Sequence, residues 1–274
     1  MRKKVVITGA AGNLGRKLRS YLGQLDQYDL RLLDLAPEGE AGVAAADLST
    51  LDQSWLDTFE GADAIVHLAA NANAAARWHE LIGPNIDGAL NVYTAAARHN
   101  VRRIVFASSV WVLSGHRFDA EMRSSASLPD PTPSAYGATK LFGERIGKAF
   151  FAAYEISTIA VRLGACRAGE NSPSAAAETS EWTQDCWLSD RDLCRGIEAA
   201  LNAPPDIGFA VINLTSANPR TRWSLREAEE QIGYRPVDTH VTTIGVRRRI
   251  RSYAARICGQ IVPKITNRLV SWDW

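Results

Sequence analysis

Val5-Val6-Ile7-Thr8-Gly9-Ala10-Ala11-Gly12-Asn13-Leu14-Gly15 decides the architecture of this chain. Val5–Thr8 is an unbroken run of β-branched residues, the composition of a buried strand. Glycines at 9, 12 and 15 end it, and Asn13–Gln24 continues with helical character. Strand, glycine turn and helix open a βαβ unit. The spacing is GxxGxxG rather than the commoner GxGxxG, but the physics is shared. Small residues at Gly9, Gly12 and Gly15 permit the turn and let backbone N–H groups approach a pyrophosphate on the positive end of the helix.

Downstream, Asp29–Asp34, Val43–Asp47, Asp63–Leu68, Arg103–Ser108, Ile156–Arg162 and Phe209–Leu214 read as strands. They alternate with helical stretches at Leu51–Phe59, Pro84–Arg98, Ser134–Phe151 and Leu188–Leu201, with Pro84 at a helix start. That rhythm predicts an α/β fold: a doubly wound, parallel-sheet Rossmann domain. Residues 114–133 and 167–185 interrupt it as polar insertions suited to surface loops or lids. Asp34 ends the second strand, 19 residues beyond Gly15. A carboxylate there accepts hydrogen bonds from an adenosine ribose diol and repels a 2′-phosphate, favouring NAD over NADP. The plainer alternative for Asp34 is a solvated strand terminus.

Tyr136-Gly137-Ala138-Thr139-Lys140 sets a phenol and an ammonium four residues apart, on one face of a predicted helix. A free phenol with a pKa of about 10 is ~0.1% ionised at neutral pH. Lowering that pKa by about three units takes roughly 4 kcal/mol, which a neighbouring lysine and a nicotinamide cation can supply.

The 274 residues carry 31 Lys and Arg against 30 Asp and Glu, a formal net charge of +1. That balance predicts no nucleic-acid partner. It is also a cancellation: residues 241–274 hold seven basic groups against Asp273 alone, leaving a body of 24 basic and 29 acidic groups. Ile250, Tyr253, Ile257 and Ile261 recur at helical spacing behind Arg247–Arg251, the pattern of a basic amphipathic helix up to Pro263. Such a tail suits a packing arm on a neighbouring subunit, a solvated helix, or a peripheral membrane contact. No apolar run reaches the roughly 18 residues of a membrane span. The basic start, Arg2 to Lys4, resembles a signal peptide until Gly9 breaks the apolar run, so it reads as a first strand. Cys166, Cys186, Cys194 and Cys258 lack paired spacing and predict a reduced, cytoplasmic setting. The scattered histidines predict no metal site.

TGAAGNLG (8–15), Asp34, Asp47-Leu48, HLAAN (67–71), Asn85, FASS (106–109) and YGATK (136–140) together resemble the extended short-chain dehydrogenase/reductases, the NAD-dependent epimerase/dehydratase superfamily, over residues 3–238. VRLGAC (161–166), WLSDRDL (187–193) and SANPRTRW with IGYRP (216–236) narrow the likeness to the small uronate and aldose 1-dehydrogenases. The resemblance implies a cofactor domain over 1–240, with substrate elements at 110–133, 164–190 and 214–240, and a tail over 241–274. Only 134 residues follow Lys140, so a small free sugar is expected rather than a sugar nucleotide.

Carried over residue by residue, the resemblance makes Tyr136 the general base for an anomeric hydroxyl. Lys140 lowers its pKa and binds the nicotinamide ribose, and Ser109 holds the reacting oxygen while C1 is oxidised to a lactone. Asn13 and Leu14 meet the pyrophosphate, Asp47 and Leu48 the adenine, and Leu68, Ala69, Ala70, Asn71 and Cys166 the nicotinamide side. Asn73, Val110, Trp111, Ala165, Arg167 and Trp182 join Ser109 and Tyr136 around the sugar. A buried strand-end hydroxyl remains the plainer reading of Ser109. Two departures bear on the substrate. Val110-Trp111 replaces the Asn-His of the uronate enzymes, and Trp182 falls where they carry the arginine for the sugar carboxylate. Arg77, His116, Arg117 or Arg167 are alternative charges for an acidic or sulfonated sugar, or are solvated loop residues. Trp78, Trp111, Trp182 and Trp187 offer aromatic faces for sugar CH surfaces, or belong to the core. The remaining function readings are an epimerase or dehydratase that recycles its NAD, and a nucleotide-sensing protein with a vestigial site. A homo-oligomer is expected.

Overall fold

Val5, Val6 and Ile7 are fully buried in β1 (Lys3–Thr8), because helices cover both faces of the sheet to which β1 belongs. The computed structural model describes residues 2–116, 132, 134–176 and 180–242. Around β1 lie β2 (Tyr28–Asp34), β3 (Val43–Ala45), β4 (Ala64–His67), β5 (Arg103–Ser109), β6 (Ser157–Leu163) and β7 (Phe209–Leu214). All pairings are parallel, in the order β3-β2-β1-β4-β5-β6-β7. The expected doubly wound Rossmann sheet is therefore present.

The pleat sorts the core. Val5, Ile7, Val105, Ile159, Val161 and Ile212 face α1 (Asn13–Gly23), α8 (Asp190–Leu201) and α9 (Arg226–Ile232). Val6, Ile65, Ile104, Phe106, Ala160 and Val211 face α2 (Gln53–Leu56), α4 (Gly88–Arg98) and α5 (Ala135–Tyr154). Ser134 and Ser189 cap α5 and α8, accepting from Gly137 N (3.2 Å) and Asp192 N (3.0 Å).

Pro84 does not start a helix. A continuous helical run begins six residues earlier as α3 (Trp78–Leu81), widens into a π turn at Ile82–Asp87, and continues as α4. A proline has no N–H to donate and its ring crowds the preceding turn, so the helix widens where Pro84 sits. The stretch 51–59 is shorter in α-helix than expected: α2 is followed by a 3₁₀ turn at Asp57–Phe59. α9 was not anticipated. The insertion 167–185 contains two short helices, α6 (Pro173–Ala176) and α7 (Glu181–Asp185). Most of the insertion 114–133 and of the basic tail, including Cys258, lies outside the described residues.

Candidate active site

The candidate residues lie at the carboxyl ends of strands or in the loops and helices that follow them, and parallel strands bring those ends to one edge. Gly9 turns at φ 73°, and a Cβ there would lie 2.6 Å from Ala69 N. The loop after β1 thus presses on the loop after β4, a contact only glycine allows. Gly15 is equally tight, its Cβ position lying 2.1 Å from Gly9 O. Gly12 begins α1 with no side-chain cap, so the first N–H groups of that helix, from Asn13 and Leu14 onward, face outward for an anion. Asp34 Oδ2 accepts from Ala11 N (2.8 Å) and its Oδ1 from Ala36 N (3.1 Å). The carboxylate is therefore a brace for the glycine loop. These features fit a dinucleotide: a cradle that side chains would fill, an uncapped helix end, and an acid at the end of β2.

Asp47 Oδ1 takes Ser49 N (2.9 Å), and Asn91 Nδ2 on α4 donates to Leu48 O (2.9 Å), fixing the loop after β3. Asn13 Nδ2 donates to Cys166 O (3.0 Å). Lys17 Nζ bonds Arg167 O (2.6 Å) and Asp190 Oδ1 (2.7 Å), tying the glycine-loop helix to the segment after β6. Lys17 is a residue the sequence reading missed; a lysine one turn into a helix carries no local signal of so distant a partner.

Ser109 ends β5, and Ser109 Oγ accepts from Trp111 N (3.2 Å). Tyr136 and Lys140 stand one turn apart on α5, both buried. Gly137 permits this: a Cβ there would lie 2.7 Å from Trp111 O and 2.2 Å from Thr132 Oγ1. The Ser109 side chain lies near enough to the Tyr136 hydroxyl to favour its ionised form, and Lys140 Nζ lies 5.7 Å from the phenol ring centroid and 5.4 Å from that of Phe106. Burial pushes Tyr136 up to about 12, with the nearby Ser109 side chain pulling the other way, and pushes Lys140 down to about 8. Desolvation is the largest influence on both groups.

Asn85, in the π turn, donates from Nδ2 to Thr139 Oγ1 (3.0 Å) and Asn71 O (3.1 Å), and its Oδ1 accepts from Asn71 N (2.8 Å). The loop Leu68–Asn71 is thereby fastened to α5. Asn73 is exposed and caps its own loop, accepting from Ala75 N (3.0 Å). His67 shares a 2.7 Å hydrogen bond with Thr8 Oγ1, and burial and nearby Lys140 push its pKa down to about 3.

Val110, Leu113, Cys186 and Trp223 form an apolar wall beyond Ser109, edged by Ala165 and Trp182. Trp182 meets Trp223 edge-on at 4.6 Å, and the Arg222 guanidinium lies 5.5 and 5.7 Å from the two ring centroids. Arg222 Nε is 3.9 Å from Asp185 Oδ2. Neither Arg222 nor Trp223 was singled out as a site residue. Trp187 is core, Trp78 and Trp111 are partly exposed, and Arg77 and Arg167 are on the surface. Arg117 lies outside the described residues. Among the described residues no cluster of three His, Cys, Asp or Glu side chains is arranged for a metal, and no helix is long and apolar enough to cross a membrane.

Fold and site together define a Rossmann dinucleotide-binding protein with a Ser-Tyr-Lys constellation at the sheet edge. Residues 5–175 match the model of the NAD dependent epimerase/dehydratase family, and the chain belongs to that family. It is 35% identical to a uronate dehydrogenase of Pseudomonas putida, over 87% of this chain and 85% of that one. It is 32% identical to an L-arabinose 1-dehydrogenase (NAD(P)(+)) of Haloferax volcanii, over 88% and 99%. Among solved structures, a mutant uronate dehydrogenase from Agrobacterium tumefaciens complexed with NAD superposes with a TM-score of 0.73 at 29% identity, over 87% and 86% of the two chains.

Proposed function

We propose that this protein is an NAD-dependent sugar 1-dehydrogenase, oxidising a small free sugar at C1 to its lactone. The observation that carries the reading is the meeting of buried Tyr136 and Lys140, one turn apart on α5, with Ser109 at the end of β5. The uronate and arabinose dehydrogenases among its relatives support the substrate class.

NAD bound in the cradle supplies the two-electron acceptor for the C1–H bond. The protein's residues do the rest. Ser109 donates to the anomeric oxygen, Tyr136 takes the proton of that hydroxyl, and the C1–O bond becomes a carbonyl. Base placement of this kind contributes about 10²–10⁴-fold. Lys140 would hold the nicotinamide ribose, and its ammonium would draw the buried phenol down from its resting value. Asn13, Leu14, Asp34, Asp47, Leu48, Leu68, Ala69, Ala70, Asn71 and Cys166 line the cofactor. Asn73, Val110, Trp111, Ala165, Arg167 and Trp182 line the sugar.

NAD reduction measured across neutral, carboxylated and sulfonated hexoses and pentoses tests this reading. Tyr136→Phe is expected to abolish NADH formation while NAD binding persists, and near-normal turnover in that variant would sink it. Product formed with retained cofactor and no NADH would instead indicate epimerase or dehydratase chemistry.

A cytoplasmic homo-oligomer completes the reading, with the basic tail as a packing arm for an acidic neighbouring surface. Deleting residues 246–274 tests the arm: unchanged subunit assembly argues against it, and lost liposome binding would point to a membrane contact.

A further inference from the structure

Glu144 lies four residues beyond Lys140 on α5, hence on the same helical face, and is almost completely buried. Its carboxylate accepts from Arg162 Nε (2.8 Å) and Nη2 (2.8 Å) and from Ser108 Oγ (2.5 Å). Arg162 is fully buried on β6, aligned across the sheet with Ser108 on β5 and Asn213 on β7. Ser108 immediately precedes Ser109. The network thus grips α5 on one side of Lys140, while Asn85 grips it on the other through Thr139. The proposed chemistry uses none of Ser108, Glu144 and Arg162.

A well-packed apolar pair generally holds a helix to a sheet as well as a buried ion pair does. What the ion pair adds is a fixed carboxylate and a fixed guanidinium of equal and opposite charge beneath two ionisable groups. We propose that Glu144 and Arg162 are positioning residues, which lock the Tyr136–Lys140 turn onto the Ser109 end of β5 and, as a balanced pair, set the field in which the phenol ionises. This rests on the reading of Tyr136 as the base. The other ionisable groups on α5 and on the elements around it include Arg145 and Lys148 on α5, Arg103 on β5, His67 on β4, Tyr93 and Arg98 on α4, Asp87 in the π turn, and His79 and Glu80 on α3. Burial keeps His67 neutral, and Tyr93 is pushed far above the ordinary phenol range.

Phenol titration of the full chain with saturating NAD, by ultraviolet difference against Tyr136→Phe, reads this field without any sugar. Glu144→Gln leaves the guanidinium uncompensated and is expected to lower the Tyr136 titration by about half a pH unit or more. Arg162→Met leaves the carboxylate uncompensated and is expected to raise it by a similar amount, and the double variant is expected to return it to the wild-type position. Shifts of the same sign in the two single variants, or none, would overturn the proposal and leave Tyr136 as the base. No titrating phenol in the difference at all would overturn both. If Arg162→Met does not fold, Arg162→Lys takes its place: unmoved titration with reduced turnover, beside the downward shift in Glu144→Gln, supports the proposal. Equal shifts in those two variants overturn it.

Discussion

Asn85 Nδ2 lies 3.0 Å from Thr139 Oγ1, so the residue beside Lys140 is anchored to a π turn 54 positions earlier in the chain. The same side chain clasps the backbone of Asn71 through two hydrogen bonds. One amide therefore couples the loop on the expected nicotinamide side to the helix that carries the phenol and the ammonium. Replacing it by alanine strands the Asn71 N–H and removes the link. Asn85→Ala is expected to cost about 1–3 kcal/mol in chemical denaturation. It is expected to lower kcat about tenfold or more, because the reacting groups lose their mutual placement. Steady-state NADH formation checks the second effect.

Asp34 has two duties that one substitution can separate. Asp34→Asn keeps an oxygen to accept from Ala11 N but loses the charge, whereas Asp34→Ala loses both. Both variants are expected to narrow the preference for NAD over NADP. Only the alanine variant is expected to lose stability, by about 1 kcal/mol, as the glycine loop loses its brace. KM values for the two cofactors and urea midpoints distinguish the outcomes. No gain with NADP in either variant would remove Asp34 from cofactor selection.

Arg222 is the cation placed against the Trp182 and Trp223 indoles, beside Ala165 and the wall that begins at Val110. A guanidinium placed beside this wall suits a substrate charge, and that role is expected of Arg222. Arg222→Leu is expected to raise KM for a carboxylated or sulfonated sugar about tenfold or more, the equivalent of one charged hydrogen bond, and to leave a neutral sugar unaffected. Equal losses with both sugars would mean that the guanidinium only supports the wall.

His67 links stability to pH. Its pKa is pushed down to about 3 in the fold against 6.5 in the unfolded chain. Between those values the unfolded state binds a proton that the folded state refuses, so stability falls as pH drops below about 6.5, by up to about 1.4 kcal/mol per unit. His240, also lowered by burial, adds to the same slope. Unfolding free energies at pH 5.0–6.5 are expected to show this slope in the wild type and a shallower one in His67→Gln. Equal slopes would mean that other groups carry the pH dependence.

The sequence by itself determined the strands, most of the long helices and their order. Val5–Thr8, the glycines and the alternation of strands with helices are local signals, legible because burial on both faces demands unbroken β-branched runs and the turn demands small residues. Tyr136, Lys140 and Asp34 were legible for the same reason: their spacing within or just after one element places them. Even locally the reading erred at Pro84, where neighbouring turns absorb a residue that ordinarily begins or breaks a helix. Only the tertiary structure decided what surrounds these groups. The partners of Lys140's helix come from Asn85, Ser108 and Arg162, which are distant in sequence and meet only when the sheet is assembled. Burial of Tyr136 and Lys140, and hence the direction of their pKa shifts, is likewise a property of the packed edge. Desolvation depends on every element that excludes water, and no single stretch of sequence records that.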